Sequence, residues 1–340
     1  MTRLRRHRAL IAGIALGLAV GVGLLVLVGG THPPRHEQAH PWEDSAINSA
    51  VFPGGLWVNP NSLPANEARQ LRSSGQVSAA TAVGVIASQP TATWLTDSNT
   101  TQVLRTIRTD LASSRADGTT PVFVTYAIPD RDCGDYSSGG FHTNRAYQKW
   151  NDAIAGTLRG HPAIVLIEPD SIAMLGRSSC AIDTGARLAV IRSAVQRFAG
   201  DHIDVYLDGG NSHWQKPGTM ASRLRQAGMR YARGFFTNVS NFYPVDQERS
   251  YADKLSALLG GKHFVIDVSR DGSGANGSWC NPDGAALGQN PHVTAGSTQL
   301  DALLWVKTPG ASDGTCDNGP PAGHWFESYA LALVANRLPG

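Results

Sequence analysis

The chain has 340 residues, 41% of them hydrophobic, enough to bury a large core as one large α/β domain or two small ones. Its formal charge is +2 with 16% charged residues. No basic block follows the N-terminus, so the electrostatic footprint of a nucleic-acid-binding protein is missing.

The first residues carry Arg3, Arg5, Arg6, His7 and Arg8, and an uncharged run from Ala9 to Gly30 follows. A basic head with an apolar body is an export signal, and the run also approaches the roughly 20 residues that span a bilayer. Residues 1–30 are therefore expected to act as an export signal or an N-terminal membrane anchor, and the Pro- and His-bearing stretch 31–50 as a tether. The expected product is secreted or extracellular, with any membrane link made through residues 9–30. Export suits the cysteines. Cys133, Cys180, Cys280 and Cys316 make an even set without CxxC spacing, which suggests two disulfides, with three connectivities open, rather than a zinc site.

From Val51 onward short apolar runs alternate with helical patterns. The expected strands are Leu56–Val58, Val83–Ala87, Val122–Ala127, Ala163–Ile167, Val205–Leu207, Gly234–Thr237, Phe264–Val268 and Leu303–Val306. Val103, Ile107 and Leu111 recur at helical spacing, as do Leu188, Ile191 and Val195. Repeated βα units imply a parallel sheet, either a barrel or a doubly wound layer. Tyr126, Glu168, Asp170, Asp208, Asn238, Asp267 and Lys307 all fall at or just past the C-terminal ends of apolar runs, which favours a (β/α) barrel with its active face there. A doubly wound sheet would gather its contacts at one switch point, and neither GxGxxG nor GxxxxGK[ST] follows any strand.

The run Ala163–Ile167 reads as a buried strand that Pro169 must terminate, leaving Asp170 at the border of a dry interior. Burial there raises a carboxyl pKa and makes Asp170 a candidate general acid; the plainer alternative is a helix cap. Three further loops carry carboxylates: Asp130 and Asp132 after the third expected strand, Asp208 after the fifth, and Asp313 after the last. Several carboxylates with aromatics, and no histidine cluster of metal-ligand type, suggest acid/base hydrolysis of a polar polymer, with neither metal nor cofactor expected. Neighbouring strands are usually adjacent in space, so a Cys133–Cys180 bond would tie the Asp132 and Asp170 loops together. Trp57, Trp214 and Trp279 lie in or beside strand-end loops, where an indole can stack on the apolar face of a sugar. Trp150 and Trp325 sit in helical patterns and are expected in the core. A phosphate loop or well-placed catalytic lysine, as an isomerase or aldolase would need, is not apparent. A non-catalytic carbohydrate-binding protein remains the rival of a different class.

The segments Tyr126-Ala-Ile-Pro-Asp-Arg-Asp-Cys-Gly, Ile167-Glu-Pro-Asp-Ser, Tyr206-Leu-Asp-Gly-Gly, Val265-Ile-Asp-Val-Ser-Arg and Trp305-Val-Lys, with Pro309-Gly310 and Ser312-Asp313-Gly314, resemble glycoside hydrolase family 6, the inverting cellulases. The resemblance runs in order from about Val51 to the C-terminus, so residues 51–340 are expected to form the catalytic domain. It implies a distorted, incompletely closed (β/α) barrel of about seven parallel strands with its cleft at the C-terminal strand ends. It also implies hydrolysis of β-1,4-glucosidic bonds by a monomer. Asp170 matches the proton donor, Asp132 its assisting aspartate, Asp313 the proposed base, Ser138 the serine that holds water, and Tyr126 the tyrosine beneath the distorted sugar. Trp57, Trp214, Trp279 and Lys307 match sugar-binding positions. Asp208, which looks like a supporting carboxylate, and Asn238 are placed with them at the substrate. The resemblance pairs Cys133 with Cys180 and Cys280 with Cys316. Many members carry Glu where this chain has Ala311 and His where it has Asn211, which puts subsite affinity in question more than chemistry. Short segments after Cys180 and after Lys307 lead to the expectation of an open cleft and an endo-acting enzyme, rather than a roofed cellobiohydrolase.

Overall fold

The computed structural model describes residues 51–200, 202–295 and 298–337. The expected export signal or anchor and the tether lie outside the described residues. Among the described residues no helix is long and apolar enough to cross a membrane.

One sheet organises the chain. Its strands are β1 (Thr93–Leu95), β2 (Val122–Thr125), β3 (Ala163–Ile167), β4 (Ile203–Asp208), β5 (Gly234–Thr237), β6 (His263–Asp267), β7 (His292–Val293) and β8 (Leu300–Leu304). They lie in the order β1-β2-β3-β4-β5-β6-β8-β7, and every neighbouring pair is parallel except β7 with β8. Seven parallel strands thus curl into a half-barrel, as the resemblance implies. The helices are α1 (Leu63–Ser73), α2 (Val77–Ala87), α3 (Thr100–Ala116), α4 (Asn144–Leu158), α5 (Thr184–Phe198), α6 (Pro217–Gln226), α7 (Val245–Leu258) and α8 (Glu327–Ala335). Asn99, Thr143 and Asp183 start α3, α4 and α5 by accepting from the N–H groups of Gln102, Ala146 and Ala186, which leaves fewer unpaired donors at those helix ends.

Successive strand residues point to opposite faces, and both faces are dry. Val124, Ile164, Leu166, Tyr206, Phe236, Val265 and Leu304 fill the inside of the half-barrel. Phe123, Val165, Ile167, Leu207, Phe235, Ile266 and Leu303 pack outward against the helices. All five residues of β3 are buried, which explains its unbroken apolar run. The circle does not close. Between β1 and β8 there is no strand ladder. Ala92 N–H donates to the Trp305 carbonyl at 3.1 Å and Trp94 Nε1 to the Val306 carbonyl at 2.8 Å.

Three expected elements are corrected. Val83–Ala87 is the end of α2, because an apolar run inside an Ala-rich stretch packs equally well as a buried helix. Leu56–Val58 forms only an isolated bridge, Leu56 to Thr120. The last parallel strand starts earlier than expected, at Leu300.

At the N-terminal ends of the strands, the buried Asp301 accepts from Arg233 Nε and Nη2, both at 2.8 Å, and from Tyr206 Oη at 2.6 Å. His263 Nδ1 lies 2.9 Å away. This cluster joins β4, β5, β6 and β8 beneath the core. Removing one partner of such a buried pair leaves the other charge poorly compensated. Arg233→Met is expected to lower unfolding free energy by on the order of 3 kcal/mol, read from urea denaturation.

Candidate active site

The C-terminal ends of the strands open into a cleft of about 1270 Å³. Backbone acrobatics at the strand ends bring its carboxylates into place. After β3 the chain turns sharply through Glu168 at φ 49° and Asp170 at φ 71°, both in the left-handed region that non-glycine residues seldom occupy. The turn is held by buried carboxylates. Glu168 folds inward, and its oxygens accept from Ala127 N–H at 3.0 and 3.1 Å and from Ile128 N–H at 3.2 Å. Asp208, at the end of β4, accepts from Ile172 and Ala173 N–H at 3.2 and 3.1 Å and from Gly210 N–H at 2.8 Å. Asp267, at the end of β6, accepts from Lys307 N–H at 2.9 Å and Ser269 N–H at 2.9 Å. Each of the three ties its own strand end to a neighbouring loop.

Asp170 is thereby set at the cleft wall, partly accessible from it. Burial, and then the charges of Asp208 and Asp132, push its carboxyl well above the usual range. Tyr126 Oη lies 3.5 Å from Asp170 Oδ2. The Tyr126 ring meets Trp94 edge-on at 5.3 Å between centroids, and the Arg131 guanidinium lies 4.9 Å from its own centroid.

The loop carrying Asp132 is laced by Arg131. Its Nε donates to the Ser137 carbonyl at 2.7 Å, Nη1 to the Tyr126 carbonyl at 2.7 Å and Nη2 to the Ser138 carbonyl at 3.0 Å. Asp132 Oδ2 accepts from Ser137 N–H at 2.7 Å. Burial raises the Asp132 pKa, partly offset by that bond. Gly140 closes the loop so tightly that a Cβ there would lie 2.0 Å from the Ile128 carbonyl oxygen, at a φ of 88°. Cys133 is bonded to Cys180, which joins this loop to the one after Asp170.

In the same cleft Asp313 has the opposite character. Arg270 Nη1 reaches its Oδ2 at 2.7 Å and Lys307 Nζ its Oδ1 at 2.9 Å, while Asn281 N–H donates to Oδ2 at 3.0 Å. Although burial opposes it, these cations hold Asp313 down at about 2. The Cys280–Cys316 bond braces this corner, because Asn281, next to Cys280, accepts from Asp313 N–H at 2.8 Å and donates to the Cys316 carbonyl at 3.2 Å.

Of the residues expected at the site, Tyr126, Asp132, Ser138, Asp170, Trp214, Trp279, Lys307 and Asp313 all line the one cleft. Three do not. Trp57 is 4% exposed and donates its Nε1 to Asp117 at 3.2 Å. The indole lining the groove near that end is Trp94, hidden from sequence reading within a three-residue strand. Asn238 is fully buried and spends its amide on the carbonyls of Tyr243 and Asp267, both at 2.9 Å. Asp208 is 2% exposed and holds the Asp170 turn rather than facing ligand. Trp150 is core, as expected, and Trp325 is partly buried against it. Arg270 was missed as a site residue, although it ends the motif Val265-Ile-Asp-Val-Ser-Arg. Among the described residues no group of three His, Cys, Asp or Glu could hold a metal ion.

A half-barrel whose strand-end groove gathers carboxylates of contrasting character, with aromatic side chains lining the same cleft, fits a glycoside hydrolase of the acid/base type. The chain belongs to Glycosyl hydrolases family 6, whose profile matches residues 54–337. It is 44% identical to Endoglucanase A of Cellulomonas fimi over 221 residues, a match that takes in 65% of this chain and 48% of that one. To Endoglucanase 1 of Streptomyces halstedii it is 34% identical over 322 residues, covering 91% of this chain and 95% of the relative. Its structure resembles the endoglucanase Cel6 of Mycobacterium tuberculosis, solved with methyl cellobiosyl-4-deoxy-4-thio-β-D-cellobioside. The TM-score is 0.76 and the identity 38%, with 83% of this chain and 96% of that one covered.

The buried acids make stability depend on pH in two directions. Burial lifts Glu168 from 4.5 to about 7, and Asp208 and Asp110 from 3.8 to about 6. Between the ordinary and raised values the folded chain holds more protons than the unfolded one, so stability falls as pH rises through that window. Asp313 acts oppositely: its contribution is complete above its ordinary 3.8 and is lost as pH falls through about 2. Urea midpoints are expected to peak near pH 4–5 and to drop toward both about pH 2 and about pH 8. A midpoint that climbs steadily from pH 5 to pH 8 would contradict these assignments.

Proposed function

We propose that the protein is an endo-β-1,4-glucanase that hydrolyses internal β-1,4-glucosidic bonds with inversion. The observation that carries this reading is the place of Asp170, a carboxyl in the cleft wall 3.5 Å from Tyr126 Oη, where burial and neighbouring charge push its pKa well above the usual range. Asp170 gives its proton to the leaving glycosidic oxygen. Asp132, on the loop clamped to it by Cys133–Cys180, discourages Asp170 from ionising and, with Ser138, guides the attacking water. In an inverting enzyme that water enters from the face opposite the acid, which requires a carboxyl gap of roughly 6.5–9.5 Å.

The water's proton leaves along the Ser138–Asp132 side. Asp313 is a poor acceptor, since taking a proton would cost it two cation contacts that hold it near 2. Its role in this scheme is to neutralise Lys307 and Arg270 beside the groove. Tyr126 supports the sugar at the cleavage point, and Trp94, Trp214 and Trp279 flank the groove. The segments after Cys180 and after Lys307 are short, which supports an open cleft that accepts a chain in its middle over the tunnel of a cellobiohydrolase. The substrate is cellulose or a soluble cello-oligosaccharide. We further propose that the protein acts as a monomer after export through its N-terminal segment.

Replacing the acid tests the core of the scheme. Asp170→Asn is expected to cut kcat on cello-oligosaccharides by about 10²–10⁴-fold while leaving their affinity in titration calorimetry nearly unchanged. Near-native turnover in that variant would end the proposal. Stereochemistry gives an independent check: proton NMR at early time is expected to show the α anomer forming first. A first-formed β anomer would exclude inversion.

A further inference from the structure

Beyond Trp214 the cleft wall carries a stacked pair of rings that plays no part in the scheme above. The imidazole of His213 and the ring of Tyr243 lie 4.1 Å apart between centroids at an interplanar angle of 11°. Both line the cleft; His213 is exposed and Tyr243 half-buried. They come from different strand ends, His213 from the loop after β4 and Tyr243 from the loop after β5.

Neither ring is where it is by chance of surface packing. His213 N–H donates to Asn211 Oδ1 at 3.0 Å, and its Nδ1 lies 2.8 Å from Ser212 Oγ, which limits rotation of the imidazole. Ser212 N–H donates to the buried Glu248 at 2.8 Å, so the turn bearing the ring is pinned from below. Tyr243 N–H donates to Asn238 Oδ1 at 3.3 Å, and Asn238 Nδ2 returns a bond to the Tyr243 carbonyl at 2.9 Å. The two asparagines, Asn211 and Asn238, are buried and act as mounts for the two rings. A pre-set aromatic surface in a polar cleft, with a hydroxyl at its rim, matches the amphipathic shape of a pyranose: an apolar face for the ring and hydroxyls for the polar edge.

We propose that the stacked His213–Tyr243 pair is a binding platform for a further glucosyl unit of the substrate, beyond the one beside Trp214. Asn211 and Asn238 are its positioning residues. The platform rests on the β-1,4-glucanase reading, and it adds length to the substrate track rather than a step to the chemistry.

The test compares substrates of different length. In His213→Ala the ratio of kcat/KM on cellohexaose to that on cellotetraose is expected to fall about fivefold, because the longer chain alone gains full use of the stack. In His213→Phe, which keeps a stacking ring and drops the Ser212 contact, the ratio is expected to return toward that of the parent enzyme. Tyr243→Leu is expected to lower the ratio in the same direction, as His213 loses its backing. An unchanged ratio in both His213→Ala and Tyr243→Leu, or an equal loss on both substrates that Phe does not restore, would overturn the platform. Failure of the parent enzyme itself to cleave either oligosaccharide would instead overturn the glucanase reading, and the platform with it.

Discussion

The structure depends on carboxylates that bond to backbone rather than to ligand. Glu168, Asp208 and Asp267 stand at the ends of β3, β4 and β6, and each gathers N–H donors from a neighbouring loop. A parallel barrel fixes its strands by ladder hydrogen bonds, yet nothing in the ladder fixes the loops above them. Side-chain acceptors supply that order here. The left-handed residues of the Glu168–Asp170 turn persist because these bonds over-determine the turn. Asp170 is therefore placed by its neighbours' side chains as much as by its own strand.

Two aspartates facing one groove show how strongly surroundings decide chemistry. Asp170 and Asp313 are the same residue type and line the same cleft. Burial, and then the charges of Asp208 and Asp132, push the Asp170 pKa well above the usual range. Asp313 is gripped by Arg270 and Lys307, and it gives its proton up even in acid. Environments that push two carboxyls apart in this way separate an acid from a permanent anion. The two disulfides brace two loops, one beside Asp132 and one beside Asp313, so neither environment depends on a free loop.

Much of this was legible in the sequence where a residue's setting followed from its strand. The apolar run of β3, ending at Pro169, marked Asp170, and the other long apolar runs marked β2, β5 and β6. The sequence was a poor guide where tertiary burial decided between equal local choices. Val83–Ala87 has no periodic signature that separates a buried helix from a strand. Trp94 lies in a strand too short to register, whereas Trp57, beside an expected strand end and at a position the resemblance matches to sugar binding, reads as a groove residue and is buried. Asn238 and Asp208 sit at strand ends as groove residues do, but their side chains turn inward. The direction of a polar side chain at a strand end depends on which N–H or carbonyl groups the neighbouring loop leaves unpaired, and that information is not local.

The unclosed join between β1 and β8 carries a last implication. Trp94 both fastens that join, through its bond to the Val306 carbonyl, and forms part of the groove wall. One side chain therefore serves both the closure of the sheet and the lining of the groove, so a substitution that spoils one spoils the other.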